Sequence, residues 1–183
     1  MIHLQTTPAK VRSVAVATSD QRAVVQSHEC PPTYIGMQRA GFGNPWRVNT
    51  ESGLPLADDL TKVVSESLSQ KGYKSLPVSV KYVDDHGIIL ELLRECKVQR
   101  SLLFIIKKWE SDTYMNIGLD YEIELTVYDE AMSKLAAASV AKTYTLPGSF
   151  WDPPSAARRE IPLAFKNALE TLLNDPRILL ALM

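Results

Sequence analysis

Apolar residues at Leu56, Leu60, Val63, Val64 and Leu68 recur at the i, i+4, i+7, i+8, i+12 spacing of one buried helical stripe, within the stretch LPLADDLTKVVSESLSQKGY at 54–73. Pro55 suits a first helical turn, and Asp58 and Asp59 fall at the positive end of the helix dipole. Gly72 can take the left-handed conformation that ends a helix, which would let Tyr73 pack back on Leu68. Burying those five side chains is worth roughly 1.5–3 kcal/mol each before ordering costs. The rest of the chain is arranged about this helix.

Upstream, residues 1–10 read as a polar tail, and VRSVAVAT at 11–18 is apolar on both faces, as a strand covered on both sides would be. Ser19–Arg22 has turn chemistry. Residues 23–53 form a long, Pro- and Gly-rich connection in which only Thr33–Gln38 has strand character; a loop of that length is usually functional or mobile. Downstream of the helix, Val78, Val80 and Tyr82 alternate with Ser79 and Lys81 as a strand with one wet face, and Asp84-Asp85 opens a second helix bearing Ile88, Ile89, Leu92, Leu93 and Cys96. LLFII at 102–106 marks a central strand, turning polar at Lys107-Lys108. Met115–Tyr128 has the cleanest alternation, with Leu119, Tyr121, Ile123, Leu125 and Val127 inward and Asp120, Glu122, Glu124 and Thr126 outward. Leu135–Leu146 is divided: KLAAASVAK favours helix by propensity, whereas its place after a long strand and the Thr143-Tyr144-Thr145 ending favour the return arm of a hairpin, which is the reading adopted. Asp152-Pro153-Pro154 opens a last helix with its stripe at Ala157, Ile161, Ala164, Phe165, Ala168, Leu169, Leu172 and Leu173, kinked at Pro162 and stopped by Asp175-Pro176. Ile178–Leu182 should dock on the body.

The expected order is strand, long loop, helix, strand, helix, three meandering strands, helix. That predicts one α+β domain over 11–183: a mainly antiparallel sheet of four to five strands, with two long helices packed on one face.

Composition narrows the function classes. With 183 residues, 45% apolar, 22% charged and a net charge of -1, the chain is ordinary for a globular protein and gives no electrostatic reason to expect nucleic acid or an anionic membrane surface. Its longest apolar runs, Leu102–Ile106 and Ile178–Met183, are far short of the roughly 20 residues a membrane span needs. MIHLQTTPAK has no apolar export core, which points to a cytoplasmic address unless a signal has been removed ahead of it. Cys30 and Cys96 could pair in an exported protein, with about 4 kcal/mol from loop closure. The preferred reading makes Cys96, at helical spacing from Leu92 and Leu93, a thiol packed as a small hydrophobe.

Candidate chemistry is sparse. His28 and Cys30 have an H-x-C spacing with no second ligand pair, so no metal is expected. His86 stands beside Asp84 and Asp85, but no nucleophile turn exists for such a base to serve, and helix capping is the plainer role. Gly41-Phe42-Gly43 lacks the strand, helix and Lys-Ser/Thr of a phosphate loop. Asp120, Glu122 and Glu124 share one strand face, as solvated sheet faces do. No catalytic residue and no cofactor are assigned. The best candidates for partner binding are Phe42, Trp46 and Arg47 in the long connection, where aromatic and Arg residues resemble interface anchors; against this, Trp46 folding back over the core is the structural alternative. Trp109 and Trp151 are read as core or sheet-edge packing.

Several short signatures act together: Val14-Ala15-Val16 followed by Asp20-Gln21-Arg22; Ile35-Gly36; Leu60, Val64 and Leu68 followed by Lys71-Gly72-Tyr73; a Tyr121–Asp129 strand ending in an acidic turn; and Asp175-Pro176 after a long amphipathic helix. In these the chain resembles the uncharacterised YajG-type lipoproteins of the bacterial envelope, and more loosely other small outer-membrane lipoproteins, such as auxiliary lipoproteins of lipid transporters. The resemblance implies a periplasm-facing protein of no known enzymatic activity, binding a protein partner or an apolar ligand, with no catalytic residues to carry over. It also implies a lipid-bearing cysteine near the mature N-terminus as the only membrane contact; residues 1–10 hold no cysteine. Two further readings stay open: a cytoplasmic adaptor using the 23–53 segment, and an enzyme centred on His86 with Asp84 or on the acidic row near Glu122.

Overall fold

The computed structural model of the chain describes residues 2–6, 8, 10–39, 44–147, 149 and 152–183. Its elements run β1 (Ser13–Asp20), α1 (Ala23–Gln26), β2 (Tyr34–Arg39), β3 (Pro45–Asn49), α2 (Leu56–Gln70), β4 (Lys74–Val78), α3 (His86–Glu95), β5 (Arg100–Thr113), β6 (Ile117–Tyr128), β7 (Lys134–Leu146), α4 (Pro153–Leu173) and α5 (Pro176–Ala181). Among the described residues, seven strands make one sheet.

The organising helix ends as its sequence dictates. Gly72 has φ +96, its N–H bonds Ser69 O at 2.9 Å, and the Tyr73 N–H reaches back to Leu68 O at 3.1 Å, the double bond of a Schellman motif. Tyr73 and Leu68 then share one apolar cluster.

β5 is the axis of the sheet. One edge pairs antiparallel with β6, which pairs antiparallel with β7. The other edge is divided lengthwise: β1 runs parallel to it over Arg100–Ile106, and β2 runs parallel to its far end at Asp112 and Thr113. β4 pairs parallel with β1, and β3 pairs antiparallel with β2. The sheet is therefore mixed, which corrects the expectation of a mainly antiparallel one of four to five strands. Helical crossovers connect β1 to β4 through α2 and β4 to β5 through α3, and such connections return the chain in the same direction. The two-sided apolar runs of β1 and β5 are the sequence mark of that parallel centre.

Helices cover both faces. Val14 and Val16 of β1 join Leu102, Phe104 and Ile106 of β5 under α2, α4 and α5, whereas Ala15, Ala17 and Leu103 face Ile89 and Leu93 of α3. The two long helices share a face as expected, and α3 lies on the other. The expected element order lacked α1, the β2–β3 hairpin and α5. The fourth strand also lies earlier than the alternation at 78–82 suggested, because Pro77 sits within β4, an edge strand where a missing N–H is tolerated. The divided segment at 135–146 is a strand.

Two contacts fix the near end of the molecule. Within residues 1–10, Ile2 and Leu4 are buried, and Thr6 Oγ1 bonds the Tyr73 hydroxyl at 2.6 Å. Asp20 and Arg22, in the segment read as a turn, form a buried ion pair at 2.7 Å.

Candidate functional site

The long connection is the start of the site. Its Thr33–Gln38 strand exists, but the residues after it return as β3, so the segment is largely a hairpin. The hairpin is held flush against β5 at Gly36, where an added Cβ would lie 2.4 Å from the Ser111 carbonyl oxygen. Residues of α2 and α4 face it across a cleft of about 750 Å³.

Each wall follows from a local rule. Asp59, Lys62, Val63 and Glu66 lie on one face of α2 by their three- and four-residue spacing, and Pro154, Ala157, Arg158, Ile161 and Phe165 do the same on α4. α4 is buried mainly in its second half, from Ala164 to Leu173, so its first turns are left to form a wall. The floor comes from β2 and β5. A register shift between Ile106 and Lys108 reverses the alternation of β5, so that Trp109, Ser111 and Thr113 continue the inner face begun by Leu102, Phe104 and Ile106. Trp109 is 2% exposed, stacks on Tyr121 at 5.6 Å and meets Phe165 edge-on at 5.0 Å. Burial pushes the Tyr121 hydroxyl up to about 12, helped by its neighbour Tyr144.

Of the predicted anchors, Trp46 and Arg47 lie on β3 at the cleft, both exposed, with Trp46 at 45%. Phe42 and Trp151 lie outside the described residues. Reasoning from sequence missed Gln38, Val63 and Phe165 as cleft residues, while Trp109 lies in the core as read. A strand-period reading across Lys107-Lys108 could not have placed Trp109 on the inner face, because the bulge moves it there.

The other candidate groups are apart from the cleft and from one another. Asp85 caps α3 by accepting from the Ile88 N–H at 2.9 Å, and the exposed His86 Nε2 lies 3.5 Å from the Tyr128 hydroxyl. His28 pairs with the Tyr82 hydroxyl at 3.2 Å. The acidic row is answered by lysines across the strand: Lys107 bonds Glu124 at 2.5 Å, and Lys108 bonds Asp120. Those hydrogen bonds push both ammonium groups up and hold the Asp120 carboxyl below its usual range. Cys30 and Cys96 are free thiols, and burial pushes the Cys96 thiol up. Among the described residues no three His, Cys, Asp or Glu side chains are grouped closely enough to hold a metal, and no helix is long and apolar enough to cross a membrane.

No sequence-family model matches this chain, and no curated protein matches it. Solved structures do. The PelC dodecamer of Paraburkholderia phytofirmans aligns with a TM-score of 0.52 at 10% identity, covering 94% of this chain and 94% of PelC. The fold is similar to that of PelC. A DUF330 protein from Xanthomonas campestris aligns with a TM-score of 0.47 at 16% identity, over 93% of this chain and 86% of the other. The lipoprotein GNA1162 of Neisseria meningitidis gives 0.35 at 12%, over 87% and 99%.

Proposed function

We propose that this chain is a non-enzymatic, envelope-associated domain on the periplasmic side of a membrane, and that it works by binding an apolar ligand or partner segment in the cleft between α2, α4 and the β2–β3 hairpin. The observation that carries the reading is the cleft itself. It has an aromatic floor, a half-exposed Trp46 at its wall and a volume of about 750 Å³, within the range of ordinary ligand sites. The absence of enzymatic activity is part of the proposal; it is supported by the scatter of His28, His86 and the acidic row across separate surfaces. The envelope address, and membership of the YajG-type proteins in particular, rest on the residues quoted for that resemblance.

Two experiments test this. Titration with the apolar fluorophore phenylnaphthylamine should give saturable binding, and Trp46→Ala should weaken it by roughly tenfold, about 1.4 kcal/mol, without lowering the melting temperature. Unsaturable binding, or a Trp46→Ala protein that loses stability along with affinity, would refute the cleft as the working surface. Separately, the product of the intact gene, fractionated from its own cells, should be recovered with the envelope; recovery in the cytosol would overturn the address.

A further inference from the structure

β3 is an open edge of the sheet. It pairs with β2 alone, and among the described residues no hydrogen bond reaches the backbone of Pro45–Asn49 from the other side. Register gives the direction of the open groups. The Thr50 N–H bonds Thr33 O at 2.8 Å, toward β2, and successive residues of an antiparallel strand alternate between its two edges. Val48 and Trp46 therefore turn their N–H and C=O to β2, whereas Arg47 and Asn49 turn theirs outward and Pro45 adds an outward carbonyl. Side chains alternate as well. Trp46 pairs with Gln38 of the cleft lining, so Trp46 and Val48 share the cleft face and Arg47 takes the opposite one. Arg47 is exposed, and among the described residues it enters no ion pair.

We infer that β3 is extended by an antiparallel peptide strand from a binding partner, apolar at the positions beside Trp46 and Val48 and acidic at the position opposite Arg47. This deepens the cleft reading and rests on the hairpin wall being the working surface. Three features select the occupant. An edge with open N–H and C=O groups is matched by another main chain, and β3 is long enough for a short strand only. The cleft beside it mixes Trp46, Val63 and Phe165 with Asn49, Thr50 and Ser52, as suits a peptide, whose amides accompany its apolar side chains. The unanswered charge of Arg47 is complemented by a carboxylate directly across, where opposite charges stabilise a strand pair and like charges oppose it. Antiparallel pairing is the more stable per residue and sets that carboxylate directly opposite.

The test titrates isotope-labelled protein with acetyl-Thr-Val-Glu-Val-Thr-amide and follows amide shifts and hydrogen exchange by NMR. In the free protein the Arg47 and Asn49 amides should exchange much faster than those of Trp46 and Val48, and the peptide should protect that fast pair. Methylating the Glu nitrogen, which faces β3, should cost about tenfold in affinity, the equivalent of one hydrogen bond. Methylating either Val nitrogen, which faces away, should cost little. Arg47→Glu should reverse the preference, from the Glu peptide to its Lys counterpart, by about threefold in each protein. The methylated peptides decide the matter even if that variant misfolds. Equal losses at every methylated position, or shifts remote from β3, would overturn the added strand. Arg47 and Asn49 amides protected in concentrated free protein and exposed on dilution would make a second copy the occupant and overturn the partner peptide. Failure of the peptide with phenylnaphthylamine still bound would overturn this inference and leave the cleft reading intact. Failure of both would overturn the cleft reading as well.

Discussion

Replacing Arg22 by Met should unfold this protein far more readily than its place in a turn-like sequence suggests. Arg22 is 1% exposed. It donates from Nε to Asp20 Oδ1 at 2.8 Å and from Nη2 to Oδ2 at 2.7 Å, a bidentate pair. It also donates to Pro32 O at 3.1 Å and to Tyr34 O, and so ties the end of β1 to the start of β2. Met fills much of the same volume but supplies no donor. It leaves a carboxylate that is 2% exposed without its counter-charge and two carbonyls without their donor. Breaking one side of such a buried pair costs about 3–5 kcal/mol. With a urea slope of about 2 kcal/mol per molar, the unfolding midpoint should fall by roughly 1.5–2.5 M. Asp20→Asn combined with Arg22→Met should cost less than the sum of the single changes by about 1–3 kcal/mol, because the stranded charge is gone. Arg22→Lys should fall between, since an ammonium keeps the charge but cannot span both carboxylate oxygens and both carbonyls. A loss below about 1 kcal/mol for Arg22→Met, or strict additivity with Asp20→Asn, would refute the reasoning.

Gly36→Ala should destabilise by about 2–4 kcal/mol, since the new Cβ meets Ser111 Oγ at 2.0 Å and Ser111 O at 2.4 Å on a backbone with φ +154. Adding Ser111→Ala should recover only part of that loss in thermal unfolding, because the carbonyl clash persists; full recovery would mean that the strands yield easily. Asp175 caps α5 and pairs with Arg177, whose hydrogen bond lowers its carboxyl from 3.8 to about 2. A depressed carboxyl stabilises above its unfolded value and loses that contribution as pH falls, so Asp175→Asn should flatten the stability–pH curve between about pH 4 and pH 2, by a small amount on this exposed surface. An unchanged acid limb in urea titrations at several pH values would contradict the pairing.

Much of this molecule is encoded locally. The α2 stripe at Leu56, Leu60, Val64 and Leu68, the Gly72-Tyr73 stop, the strand alternation of β6 and the Asp152 and Asp175 caps each depend on side chains within a turn or two of one another, and all are present in the structure. Val63, expected in that stripe, is exposed at the cleft. The β7 segment shows position overriding helix propensity: its partner β6 supplies a full antiparallel edge, which the residues of KLAAASVAK cannot announce by themselves.

What the tertiary structure alone decided concerns partners far apart in the chain. Parallel pairing of β1 with β4 and β5 depends on where the crossover helices return the chain. The burial of Arg22 depends on the carbonyls of Pro32 and Tyr34, and the seating of Gly36 on a carbonyl 75 residues downstream. The cleft is the sharpest case. Trp46 stood out in the sequence as an aromatic residue in a long connection, but its place at a cleft followed only when β5, displaced by its bulge, and the first turns of α4 enclosed that space. Local sequence sets which groups a segment can bury; only the packing of distant segments sets which of them come to line one cleft.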